Sequence, residues 1–143
     1  MARFLKDKDY KKQVRDWIRN ILVYNDADVQ ADCELAAQCE METYLSNRYD
    51  IASIFSTVQA ESDRNPLIIL YLIDITLYHL HSNISPDNVP ELRLTRYKAA
   101  IDWLKAVAME KISPILPPKI NESGTQDISF VYGSNPKTSN TRY

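Results

Sequence analysis

Residues 66–81 read PLIILYLIDITLYHLH, and eleven of these sixteen positions are leucine, isoleucine or tyrosine. Pro66 suits a first helical position, where its missing N–H has no intrahelical partner, and Asn65 before it can cap the end. A helix apolar nearly all round must be buried all round. The run falls short of the about 20 apolar residues that span a bilayer, and Asp74 interrupts it. The stretch therefore predicts a central core helix ending near Ser82, with the other helices wrapped around it.

The flanking sequence supplies the wrapping. Tyr10, Val14, Trp17, Ile18 and Ile21 recur at three- and four-residue steps and predict a first helix from about Asp7 to Leu22. After the turn Asn25-Asp26-Ala27-Asp28, a second helix is expected to about Asn47. Its apolar stripe reads Val29, Cys33, Ala36, Ala37, Met41, Tyr44 and Leu45. Residues 48–64 lose the helical period, and Ile51, Ile54 and Phe55 are expected to anchor an extended loop. Pro90 and Glu91 open a last long helix, capped near Asn88, with Leu94, Tyr97, Ile101, Leu104 and Ala108 as its stripe. Leu92, Trp103 and Val107 form a second face, and Ser113-Pro114 is expected to stop the helix.

From Pro114 the composition changes. The tail holds four of the seven prolines and both glycines. The expected architecture is all-α. It is a small bundle of about four helices around the buried central helix over residues 1–113, with an extended C-terminal arm over 114–143. Asp127 to Tyr132 alternates in a way that suits a short β-strand, with Ile128, Phe130 and Tyr132 on one edge.

Composition narrows the function. At 143 residues and 16.5 kDa the chain can bury a core without a metal or disulfide staple. Cys33 and Cys39 lie about 120° apart around one expected helix, so they cannot bridge each other, and no Cys/His metal spacing exists. MARFLKDKDYKK has no apolar run, so neither signal peptide nor membrane anchor is expected, which makes the cytoplasm the place of synthesis. A net charge of −2 gives no case for nucleic acid overall. The charge is segregated, however. Residues 1–20 hold seven Lys/Arg against three Asp, whereas Asp26 to Glu42 holds six acids and no base. Such segregation suits either solvated helix faces or matching between copies, with Lys11, Lys12 and Arg15 facing Asp32 and Glu34 of a neighbour.

No catalytic set emerges. His79 and His81 are two apart on a helix and point in nearly opposite directions. Asp74, Tyr78 and His81 share a face, which reads as a buried polar stripe seeking partners. Arg48, Arg93 and Arg96 are candidates to pair with Asp74, Arg48 first. A Gly-rich phosphate loop is excluded by the two glycines, both in the tail. No enzyme, cofactor or metal is expected.

Three segments carry a family resemblance. Glu34 to Ile51, ELAAQCEMETYLSNRYDI, resembles a helix ending in a "YL..RY" signature followed by an extended turn. LIILYLIDITLYHL resembles the apolar helix with an internal Asp that follows it. RYKAAIDWLKAVAMEKISPIL resembles the element "RY..A..WL..I..G.I.L". Over roughly Glu34 to Leu116 the chain is thus similar to the Mu-like phage head–tail connector proteins. It departs from them in having Glu110-Lys111 where members often have glycine, and in lacking prolines within RYDIASIF. The resemblance implies a non-enzymatic virion protein of the neck, with no membrane partner. It implies a ring, typically a dodecamer, between the portal protein and a downstream stopper or tail protein, with DNA passing through without specific binding. The arm would fasten to the portal or a neighbouring subunit. The competing expectation is a free-standing helical interaction or regulatory module.

Overall fold

The computed structural model of the chain describes residues 3–23 and 26–120. Its elements, in order, are α1 (Asp7–Tyr10), α2 (Asp16–Val23), α3 (Ala27–Leu45), α4 (Ile51–Ile54), a 3-10 turn (Glu61–Asp63), α5 (Pro66–Ile84) and α6 (Glu91–Ala108). The protein is a small all-α bundle in which α3, α5 and α6 pack against one another and the short α1 and α2 close over α5.

The central helix behaves as its composition demands. Pro66 opens α5, and the Asn65 side-chain oxygen accepts from the Leu67 and Ile68 N–H groups at 2.9 and 3.2 Å. Residues 72–77 are buried without interruption, so the helix is covered on every side at its middle. Each fully buried Leu or Ile there contributes about 1.5–3 kcal/mol relative to exposure. At nineteen residues α5 is longer than the sequence indicated, and by length and composition alone it is long and apolar enough to cross a membrane. Its burial among α3 and α6, with Asp74 inside, fits the core helix of a bundle.

The first helix departs from the expectation of one continuous run. It breaks between Tyr10 and Asp16, because buried polar contacts outcompete helix continuation there. Asp9 is drawn onto Arg64, Tyr10 is fully buried, and the Gln13 carbonyl accepts from Arg93 Nη2 at 3.2 Å. The expected loop 48–64 contains α4, capped by Asp50, whose carboxylate accepts from the Ser53 hydroxyl at 2.7 Å. Ile54 and Phe55 are buried there, as expected of anchors.

The last helix ends earlier than Ser113-Pro114. The Lys111 N–H bonds to the Ala106 carbonyl and the Glu110 N–H to the Val107 carbonyl, with Glu110 left-handed at φ 61°. This is the glycine-type helix stop made with a glutamate. Beyond it the chain folds back on the end of the bundle. Arg48 Nη1 donates to the Val107 and Ile112 carbonyls at 2.7 and 3.0 Å, and Nη2 to Ser113 Oγ at 2.9 Å. Asp50 N–H donates to the Pro117 carbonyl and Lys119 N–H to the Arg48 carbonyl, giving an isolated antiparallel bridge between Tyr49 and Pro118. The first residues of the expected arm, to Ile120, therefore lie against their own bundle.

Candidate functional site

The basic residues singled out from sequence sit in the break between α1 and α2. Lys11, Lys12 and Arg15 are all exposed. Lys11 Nζ reaches Asp16 at 3.9 Å, a pair too open to neutralise the turn. Their proposed acidic counterparts divide. Asp32 is exposed early in α3, as are Asp26 and Asp28 ahead of it. Glu34 is buried and does not belong to an outward face.

Glu34 is instead the centre of an internal clamp. Arg3 reaches it from the N-terminal segment in a two-pronged contact, Nε to Oε1 at 2.8 Å and Nη2 to Oε2 at 2.6 Å. The Tyr10 hydroxyl donates to Oε2, and Gln30 Nε2 donates to it from one turn away at 3.3 Å. Burial pushes the Tyr10 hydroxyl far above the ordinary tyrosine range, and the Glu34 charge adds to that. The hydrogen bond to Glu34 likewise holds the Arg3 guanidinium well above its usual value, against the opposing effect of burial. The buried stripe of α3 accordingly runs Gln30, Glu34, Ala37, Met41 and Leu45, while Ala36, expected inside, faces solvent. A paired carboxylate takes the buried place that the apolar pattern had assigned to a neighbouring residue.

The buried aspartate of α5 also has a different partner from the one expected. Arg96 Nε donates to Asp74 Oδ1 at 2.8 Å. α5 and α6 are antiparallel neighbours, so Asp74 meets the first half of α6, while Arg48 is committed to the carbonyls at the far end of α6. Burial raises the Asp74 carboxyl above the ordinary aspartate value, and the single bond and charge of Arg96 offset this only in part. One turn on, the rings of Tyr78 and Tyr97 stack at 4.0 Å. The Tyr97 hydroxyl donates to Glu40 Oε2 at 2.8 Å, and His79 Nε2 lies 3.1 Å from Glu40 Oε1. Burial and this bond together push the Tyr97 hydroxyl up. Burial lowers the His81 imidazole, and the charge of Arg93 adds to that. Tyr78 stacks on Tyr97, while Asp74 and His81 both feel the charge of Arg93; no group of three or more potential metal ligands gathers among the described residues.

A third buried ion pair carried no signal in the sequence pattern. Arg64 Nη1 and Nη2 donate to the Asp9 carboxylate at 2.7 and 3.1 Å, and Nη1 also donates to the Phe4 carbonyl at 3.0 Å. Asp9 accepts the Lys6 N–H at 2.7 Å as well. Burial would raise the Asp9 carboxyl, yet these donors outweigh it and hold the group below the ordinary aspartate range. Together the Arg3–Glu34 and Arg64–Asp9 contacts bolt the N-terminal segment to the bundle. Ile128, Phe130 and Tyr132, the expected fastening edge of the arm, lie outside the described residues.

The family model described as Bacteriophage Mu, Gp36 matches residues 7–130 of the chain. No curated protein and no solved structure matches it.

Proposed function

We propose, from the premise that the chain belongs to the bacteriophage Mu Gp36 family, that it is a structural protein of the virion neck. In this reading copies of it form a closed ring, a dodecamer, between the portal protein and a downstream stopper or tail protein. DNA passes through the ring without specific binding, and the protein does no enzymatic work. It is made in the host cytoplasm and needs no cofactor. The observation that carries the reading is the family match across nearly the whole bundle.

The charge layout supports it. The exposed turn Lys11, Lys12 and Arg15 and the exposed acids Asp28 and Asp32 are different patches with opposite sign. Two unlike patches that match make a heterologous contact, which closes into a ring when the rotation allows. Such matching sets register more than affinity. A lumen lined with acids would let phosphates slide without sticking. The arm, through Ile128, Phe130 and Tyr132, would add a strand to a sheet edge on the portal.

Native mass measurement at low and high salt tests the reading. The expected result is a closed oligomer that weakens when Lys11, Lys12 and Arg15 are reversed to Glu, and that partly returns when Asp28 and Asp32 are reversed to Lys. A monomer or dimer at every salt concentration would favour a free-standing helical module instead.

A further inference from the structure

A groove of about 310 Å³ opens between the N-terminal segment, the first half of α3 and the residues just after α4. Its apolar lining is Phe4, Leu5, Ala31, Leu35, Phe55 and Leu72. Phe4, Leu5, Phe55 and Leu72 are buried core residues, whereas Leu35 is 60% exposed. Two of the charged residues in the lining, Arg3 and Glu34, are bonded to each other. The third, Asp32, is exposed and has no ion-pair partner among the described residues. The groove is thus an open apolar recess with one unpaired negative charge.

A segment of matching chemistry follows α6. Residues 111–120 read KISPILPPKI, with two lysines and no acid. Pro114, Pro117 and Pro118 bar a helix there. The backbone is pinned to its own bundle: Arg48 Nη1 donates to the Ile112 carbonyl, the Tyr49 hydroxyl to the Pro114 carbonyl at 3.3 Å, and Asn65 Nδ2 to the Ile115 carbonyl at 3.3 Å. Leu116 is buried, whereas Ile115 beside it is 96% exposed. Lys111 and Lys119 are exposed and have no ion-pair partner among the described residues. A lone exposed isoleucine is ordinary. This one is held in place between two unpaired lysines, and the same molecule carries an apolar recess beside an unpaired aspartate.

We infer that the groove takes Ile115 of a second copy of this chain, whose Lys119 is brought to Asp32. The inference rests on the reading that copies associate, and it gives that contact the apolar centre that charges alone do not supply. Two unlike surfaces of one chain make a heterologous contact, which repeats from copy to copy. The segment is already fixed by its own bundle, so docking it costs little conformational entropy. The opposite charges set register, and the buried isoleucine supplies affinity. A phosphate backbone does not suit the groove, because the unpaired charge in its lining is negative.

Full-length variants test it. Ile115→Asp and Leu35→Asp change exposed side chains, so helical content and melting temperature should match wild type. Sedimentation velocity should show self-association of each weakened about tenfold or more. The contact itself is read by mixing Ile115→Cys chains with Leu35→Cys chains, both also carrying Cys33→Ser and Cys39→Ser, under mild oxidation. A disulfide joining the two unlike chains is expected. No such disulfide in a mixture that associates would overturn the inference and leave the ring reading standing, as would unchanged association of both aspartate variants. Loss of portal binding by Ile115→Asp with association intact would overturn it too, and would assign the segment to another partner. A wild type that stays monomeric at every protein and salt concentration would remove the ring reading and this inference together. Leu35→Ser checks the result if the aspartate there lowers the melting temperature.

Discussion

Asp9 and Asp74 are both buried aspartates paired with arginine, and their chemistry runs in opposite directions. Asp9 accepts two guanidinium N–H groups from a fully buried Arg64 and a third donor from the Lys6 backbone. Asp74 accepts one bond from Arg96, whose side chain is 35% exposed. The first carboxyl is held below the ordinary aspartate range and the second above it. Burial acts on both; the number and dryness of the donors decide which effect wins. Asp9 is a bolt that needs its charge, and Asp74 is a polar group tolerated in a core.

The largest consequence concerns Arg64. Arg64→Ala leaves the Asp9 carboxylate buried without its partner and should cost about 3–5 kcal/mol. Chemical denaturation measures this. A loss below about 1 kcal/mol would mean that the N-terminal segment is held by Phe4, Leu5 and Tyr10 alone. Asp74→Asn should cost far less, about 1 kcal/mol or under, because the partner it abandons can turn to water. A loss as large as that of Arg64→Ala would erase the distinction between the two sites.

A smaller effect appears on acidification. The stabilising contribution of Asp9 is present above the ordinary aspartate value and disappears as pH falls through its depressed one. Asp74 has the reverse sign: its contribution is complete below the ordinary value and lost as pH rises through its raised one. Between neutral pH and about pH 3, Asp9→Asn should therefore show a smaller fall in melting temperature than wild type, and Asp74→Asn a larger one. Parallel curves for all three proteins would contradict the assignment.

The same contrast explains what could be read from the chain beforehand. The core helix was legible because burial needs only composition. Asn65-Pro66 marked its start, and the apolar run marked its all-round covering. Partner choice among charged residues was not legible, since it depends on the register of helices far apart in sequence. Asp74 meets Arg96 because α5 and α6 run antiparallel. Arg48 is drawn to the unpaired carbonyls at the end of α6. Glu34 looked like surface charge because it stands among five other acids, and only the return of Arg3 and Tyr10 across the fold buries it. The early break after Tyr10 has the same origin in long-range polar contacts.

The proposed role is a closed ring that stacks on the portal. Electron microscopy of the protein mixed with purified portal rings tests it most directly. That role predicts a second closed ring stacked coaxially on the portal. Portal rings without an added layer, beside a protein that remains a monomer, would contradict it.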